Sequence, residues 1–338
     1  MLVNNLGPAR TARTLARAVL AVTGCAVLAT VPATGAGAQS WPSKPVTVIV
    51  PFGPGNALET IGRPVLEQLS QRLGQPFVVE NKAGAGSVTG TGAAARAEPD
   101  GYTLMMQSST FSIVHSVQPK RPYDTFADFA AVAPFGVQPS LLVVSPSKGM
   151  KSAADLIAAA KAKPGTLNFA SAGPGSASHL AAERFIRSAG IQATHVPFRN
   201  PSEGVTETLT GRIDFYFPPI SVGLPLVRDG KLVPLAVSTK ARAESLPDVP
   251  TSTELGLKDS AFEFWVGLFA PAKTPRDIVD KLNREVRAVL ATPAIQERVK
   301  TFGYVTVDMS PEQYTAFLKA DVEDLGRLIT AAGITAGQ

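Results

Sequence analysis

The chain has 338 residues, 45% of them hydrophobic and 17% charged, which is enough apolar material for about two domains of ~100–200 residues and excludes a disordered chain. The net charge of +5 comes without a block of lysine and arginine, so no nucleic-acid partner is expected, and a single cysteine excludes a disulfide framework and a cysteine-based metal site. Beyond residue 40, no apolar stretch approaches the ~20 residues of a membrane span.

Residues 1–38 read as an export signal. Arg10, Arg13 and Arg17 precede an apolar run over 18–31, and Ala36-Gly37-Ala38 places small residues before Gln39. Cleavage there removes three arginines and Cys25, taking the net charge from +5 to +2. Val22-Thr23-Gly24-Cys25 also loosely resembles a lipoprotein box, so a lipid anchor at Cys25 is the alternative. Both readings put the protein outside the cytoplasm, in the periplasm, where ATP and nicotinamide cofactors are scarce.

From residue 46 the pattern alternates strand and helix. The apolar run Val46–Val50 ends at the turn Pro51-Phe52-Gly53-Pro54-Gly55. A helix follows with Ile61, Val65, Leu66 and Leu69 on one face. Strands are expected at 77–80 and 102–106, with a Gly-rich loop and an Ala-rich helix to about residue 97 between them. A second block opens with a strand at Leu141–Val144, a helix at 152–163 and a strand at 167–170. The loop Ser171-Ala172-Gly173-Pro174-Gly175-Ser176 and a helix through Phe185 come next. Further strands are expected at 195–197, 213–217 and 232–237. Helices at 275–290, 293–302 and 311–332 end the chain. Repeated βαβ units predict mostly parallel sheets covered by helices, arranged as two similar lobes.

Two of the loops suit an anion. In open α/β sheets ligands sit beyond strand carboxyl ends, against helix N-termini whose free N–H groups and positive dipole ends hold carboxylates or phosphates. The loops 52–57 and 171–178 fit, and their glycines let a ligand approach the backbone. Capping alone explains each equally well. Asn56-Ala57-Leu58-Glu59 is a capping box in which Glu59 is expected to bond back to the Asn56 N–H, and Ser176 is an N-cap. Gly90-Thr91-Gly92-Ala93-Ala94-Ala95 fits a dinucleotide fingerprint, but the next strand ends at Gln107-Ser108-Ser109 with no acid for a ribose.

No nucleophile elbow or metal-ligand spacing is present, and His115, His179 and His195 are spread apart. His195 is expected to be packed in its strand. His179 either faces a ligand or packs, and packing is favoured.

Many short pieces then carry a resemblance. They begin with Trp41-Pro42-Ser43-Lys44-Pro45 and Val46-Thr47-Val48-Ile49-Val50-Pro51-Phe52. Val79-Glu80-Asn81, Gly84-Ala85-Gly86 and Pro99-Asp100-Gly101-Tyr102-Thr103-Leu104 continue them. Ala170-Ser171, Gly173-Pro174-Gly175-Ser176, His179-Leu180 and His195-Val196-Pro197 lie in the second block. Leu246-Pro247-Asp248-Val249-Pro250-Thr251, Trp265-Val266-Gly267-Leu268 and Ala270-Pro271-Ala272-Lys273-Thr274-Pro275 complete the order. From Trp41 to about Ile334 the chain resembles the Bug family of extracytoplasmic solute receptors, the binding components of tripartite tricarboxylate transporters.

The resemblance implies a periplasmic-binding-protein fold, α/β throughout, with two lobes joined by a hinge and a ligand cleft between them. Lobe 1 would comprise 41–139 plus 264–338, and lobe 2 would comprise 140–263. It implies a receptor that captures a small organic acid and delivers it to membrane transporter subunits, as a monomer, with no cofactor, no metal and no catalytic residue. The ligand residues carried over are Phe52, Gly55, Asn56, Ala57, Glu59 and Ser108 on one side, and Ser171, Gly175, Ser176, Ala177 and Phe198 on the other. Alternatives are a sensor that presents its closed form to a signalling partner, or an exported enzyme on the same scaffold.

The chain departs from the family pattern P-F-x-P-G-G-x-x-D. Asn56 stands for the second glycine and Glu59 for the aspartate. Phe198-Arg199-Asn200 stands where Tyr-Lys-Gly is common, and Pro218-Pro219 is unusual beside the cleft. Phe52 and Phe198 would offer stacking surfaces to an aromatic acid.

Overall fold

A computed structural model describes residues 41–199 and 201–332. The expected export signal at 1–38, with Cys25, and Asn200 lie outside these residues. The first block runs β1 (Val46–Val50), α1 (Ala57–Leu73), β2 (Phe77–Asn81), α2 (Val88–Ala95), β3 (Thr103–Ser108), α3 (Thr110–Val117) and β4 (Phe129–Pro139). The second runs β5 (Leu141–Val144), α4 (Ala153–Ala162), β6 (Asn168–Ser171), α5 (Ala177–Ala189), β7 (Thr194–Pro197), α6 (Pro201–Leu209), β8 (Phe215–Tyr216), α7 (Ile220–Arg228) and β9 (Val233–Val237). The chain then returns through β10 (Glu263–Pro271), α8 (Arg276–Leu290), α9 (Pro293–Thr301), β11 (Val305–Thr306) and α10 (Pro311–Ala332).

These strands form two sheets, ordered β11-β4-β10-β3-β1-β2 and β7-β6-β8-β5-β9. The expected parallel pairing holds in the βαβ portions, where β1 pairs with β2 and β3, and β6 with β7 and β8. The remaining pairs are antiparallel, so both sheets are mixed rather than mostly parallel. The reason is the two crossing segments. β4 runs out of the first sheet straight into β5 of the second, and β10 brings the chain back to lie antiparallel between β3 and β4.

Neither β4 nor β10 is apparent in the sequence. Pro134 and Gly136 make β4 look like a loop. Pro134 cannot donate to a ladder, yet it sits in a central strand because the β4–β10 register slips on either side of it, between Val266 and Gly267 and between Leu268 and Phe269. The bulges leave Phe135 and Val132 unpaired and set Pro134 opposite Gly267, and the disturbed ladder on both sides of Pro134 is what lets a residue without an N–H stand there.

The two crossings are stitched together. The Ser140 N–H donates to Ser238 Oγ at 2.9 Å, and the Ser238 N–H donates to the Ser140 carbonyl at 2.9 Å. Ser238 Oγ in turn donates to the Phe262 carbonyl at 2.6 Å.

One apolar cluster is continuous from β1 and α1 to Phe169 and Phe215 of the second sheet. A second lies wholly in the first lobe, where Trp265, Phe269 and Tyr314 are buried against Phe111. Removing side chains of this size from water stabilises by ~1.5–3 kcal/mol each. Asp321 is drawn into this cluster, accepting from Trp265 Nε1 at 2.8 Å. Burial, with Asp324 nearby, raises its carboxyl above the ordinary 3.8 against the hydrogen bonds that lower it.

A raised carboxylate favours the fold most at low pH, and that contribution is lost as pH rises through the folded-state value. Asp321→Asn keeps an acceptor for the indole and removes the charge. It is therefore expected to melt above the wild type at pH 7, with the advantage shrinking toward pH 4. An equal difference at both pH values would show that the carboxylate is not strained by burial.

Candidate functional site

Three helices begin at one cavity. The first is α1. Its N-cap is Asn56, whose Oδ1 accepts the N–H groups of Leu58 at 2.9 Å and Glu59 at 3.2 Å. Asn56 Nδ2 donates to the Gly53 carbonyl at 2.7 Å and to Glu59 Oε1 at 2.8 Å. The capping box is thus not formed as expected. Glu59 takes the Asn56 side chain rather than its backbone N–H, because two other donors fix the carboxylate to the side. Asn81 Nδ2 reaches Oε1 at 2.7 Å and Arg63 Nε reaches Oε2 at 2.5 Å. Asn81 also donates to the Phe52 carbonyl at 2.9 Å, so β2 holds the loop from behind.

The second is α5, capped by Ser176, whose Oγ accepts the His179 N–H at 3.3 Å. Ser178 Oγ accepts the Ala172 N–H at 3.0 Å and lies 3.2 Å from Ser176 Oγ. Ser178 also bonds to Tyr216, whose phenol burial pushes up to about 12. The third is α3, whose first residue Thr110 reaches across. Its Oγ1 accepts the Ala177 N–H at 3.1 Å, joining the first lobe to the second. A further link runs from Ser202 Oγ to the Pro54 carbonyl at 3.4 Å.

Between these helix starts lies a narrow cavity of about 30 Å3. Of the residues expected to meet a ligand, Phe52, Asn56, Ala57, Ser176 and Ala177 line it. So do Tyr216 and Pro219, at and just beyond the end of the 213–217 strand. Ala172 and Ser178 of the expected 171–178 loop line it too, whereas Leu58, Thr110, Val222 and Phe264 were not foreseen. None of its lining residues is Lys, Arg, Asp or Glu. The groups that meet a guest are hydroxyls, N–H groups and apolar walls. Among the described residues, no group of three or more His, Cys, Asp or Glu could hold a metal.

Residues 61–334 match the model of the tripartite tricarboxylate transporter family receptor. The chain belongs to that family. Protein BugT of Bordetella pertussis is 32% identical over 317 residues, 93% of this chain and 97% of its own. The structure of periplasmic binding protein BugD superposes with a TM-score of 0.84 at 30% identity, covering 87% of this chain and 99% of that one. Rpa4515 of R. palustris with adipate gives the same TM-score at 29% identity, covering 87% and 99%. The two-lobed α/β architecture of this tripartite tricarboxylate transporter receptor is therefore that of periplasmic binding proteins.

The other expected site residues of the receptor stand behind the cavity rather than on it. Glu59 is engaged as described. Ser108 is buried under α3, its Oγ accepting the Thr110 N–H at 3.4 Å. Ser171 Oγ lies 2.6 Å from His195 Nε2 and accepts the Gly173 N–H at 3.0 Å. The Gly175 N–H donates to His179 Nδ1 at 3.2 Å. Gly55 lies beside Ser202, and Phe198 covers Gly204 on α6.

His179 is buried and stacked on His195, ring centroids 4.1 Å apart, as packing required. Burial and the neighbouring His195 lower its pKa to about 3, so the ring is neutral and its Nδ1 is free to accept. The Glu183 carboxylate, 3.8 Å from Nε2, makes no ion pair with a neutral ring.

Proposed function

We propose that this chain is exported to the periplasm, captures a small organic acid in the cleft between its lobes, and passes it to the membrane subunits of a tripartite tricarboxylate transporter. It performs no chemistry and works as a monomer. Lobe 1 is 41–139 plus 264–338 and lobe 2 is 140–263, with the stitched crossings as the hinge. The observation that carries the reading is the convergence of the α1, α3 and α5 N-termini on one cavity with no charged side chain in its lining. A carboxylate there is held by helix dipoles, the hydroxyls of Thr110, Ser176 and Ser178, and backbone N–H groups. Adipate in the related Rpa4515 supports the class of ligand.

The cavity as it stands admits about a water or two, whereas small-molecule sites span ~300–1,000 Å3. Entry therefore requires the lobes to separate, and the ligand favours the closed arrangement by touching both.

The test is a thermal-shift screen against mono-, di- and tricarboxylates, aromatic acids and amino acids, with a check for turnover. A ligand at about 100 times its Kd adds ~2.7 kcal/mol, a rise of roughly 4 °C for a chain of this size. A rise confined to one class of acid, with the acid recovered unchanged, is expected. No rise with any acid defeats the carboxylate reading, and steady consumption of a bound acid defeats the receptor reading.

A further inference from the structure

We infer that the cavity takes a ligand with one carboxylate and one uncharged, apolar end, and that Asn56 is the residue that denies a second carboxylate. The inference deepens the reading just proposed and rests on it.

The cavity's hydroxyls gather at one end. Ser176, Ser178 and Tyr216 are hydrogen-bonded to one another, and Thr110 joins them through the Ala177 N–H. The α5 dipole points to the same place. At the α1 end the anion seat is already filled. The Leu58 and Glu59 N–H groups are donors that a carboxylate would take at a helix start, and Asn56 Oδ1 occupies both. Asn56 is not free to turn aside. It is 2% exposed, and its Nδ2 is committed to the Gly53 carbonyl and Glu59.

The Glu59 carboxylate behind it accepts from Asn56, Asn81 and Arg63, which fixes the Asn56 side chain in that seat. The remaining surface offers a better fit to carbon. Phe52, Leu58, Pro219, Val222 and Phe264 line the cavity with no cationic side chain among them. A buried carboxylate without a partner is costly, while a methylene chain or ring gains from the same wall.

Isothermal titration calorimetry on the purified protein with matched acids tests this. Hexanoate and adipate share a six-carbon chain and differ by one terminal carboxylate; benzoate and isophthalate form an aromatic pair. In whichever pair binds, the monoacid is expected to be tighter by at least about tenfold. In Asn56→Gly the two N–H groups come free, and the diacid is expected to gain about tenfold on the monoacid. The helix should survive, because glycine is a tolerated N-cap.

A diacid bound as tightly as its monoacid by the wild type overturns the assignment and leaves the carboxylate reading intact. So does an unchanged preference in a folded Asn56→Gly variant. Heat from none of the four acids, in a protein whose melting point no carboxylate moves, overturns the carboxylate reading and this inference together.

Discussion

Gly90→Ala is expected to destabilise the protein by about 3 kcal/mol or more, while Gly92→Ala, two residues along the same helix, changes stability by less than about 1 kcal/mol. A Cβ on Gly90 would lie 2.5 Å from the Lys82 carbonyl oxygen and 2.8 Å from the Pro51 Cα. Both are backbone atoms at the ends of β2 and β1, so neither can swing aside. α2 would have to lift from the sheet. On Gly92 the Cβ would meet side chains alone, the Pro122 ring at 3.2 Å, the Arg96 guanidinium at 3.4 Å and the Tyr123 ring at 3.9 Å. Those neighbours can give by a few tenths of an ångström, and alanine regains helix propensity. Thermal unfolding of the two variants side by side checks this. Gly90→Ala should melt roughly 4–5 °C or more below the wild type. Equal melting points would mean that α2 does not need its close approach.

The second large effect concerns ligand affinity. Gly86→Ala is expected to raise the Kd for any ligand that closes the lobes by at least about tenfold, with a loss of stability near 1 kcal/mol. Gly86 belongs to the first lobe and has φ +63°. A Cβ there would sit 2.4 Å from the Pro174 carbonyl oxygen in the second-lobe loop. The positive φ costs alanine the same whether the lobes are together or apart. The clash with Pro174 exists only when they meet, so it penalises the closed arrangement alone. A binding isotherm gives the first quantity and a melting curve the second. Unchanged affinity in a folded variant would show that the 84–87 and 173–175 loops do not meet in the bound form.

These glycines also show what a sequence can and cannot say. Gly90 and Gly92 fit a dinucleotide fingerprint in spacing, and the missing acid after β3 argues against that reading. What the spacing did not reveal is that Gly90 serves helix-to-strand contact with Pro51. The βαβ portions were legible because apolar runs of strand length alternate with helical periodicity and are separated by Gly and Pro. β4 and β10 were not, since Pro134 and Gly136 are breakers whose acceptance depends on bulges against a strand more than a hundred residues later.

The loops at 52–57 and 171–178 were legible as helix starts, and both reach the cavity. Thr110 was missed because α3 begins directly after β3, with no loop and no capping side chain to announce it. Glu59 was assigned to the wrong atom because its partners Asn81 and Arg63 come from β2 and the next turn of α1. A local motif names the nearest donor, and the fold supplied better ones. Ser171, Gly175 and Phe198 share one reason for standing back: their loop is ordered by His179, His195 and α6 from behind, so only Ala172, Ser176, Ala177 and Ser178 come forward.

The paired bonds between Ser140 and Ser238 have a mechanical consequence. Two separate ribbons linking the lobes would let one lobe slide, twist and nod against the other. Here Ser238, one residue past β9, ties Ser140 at the exit of β4 to Phe262 at the entry of β10, and β4 and β10 pair with each other beyond it, so the two ribbons act as one flexure, soft to folding about a single axis and stiff to shear and torsion. If the lobes part and close as proposed, such a flexure returns Thr110 to the same N–H on α5, so the rims meet in the same register at every closure.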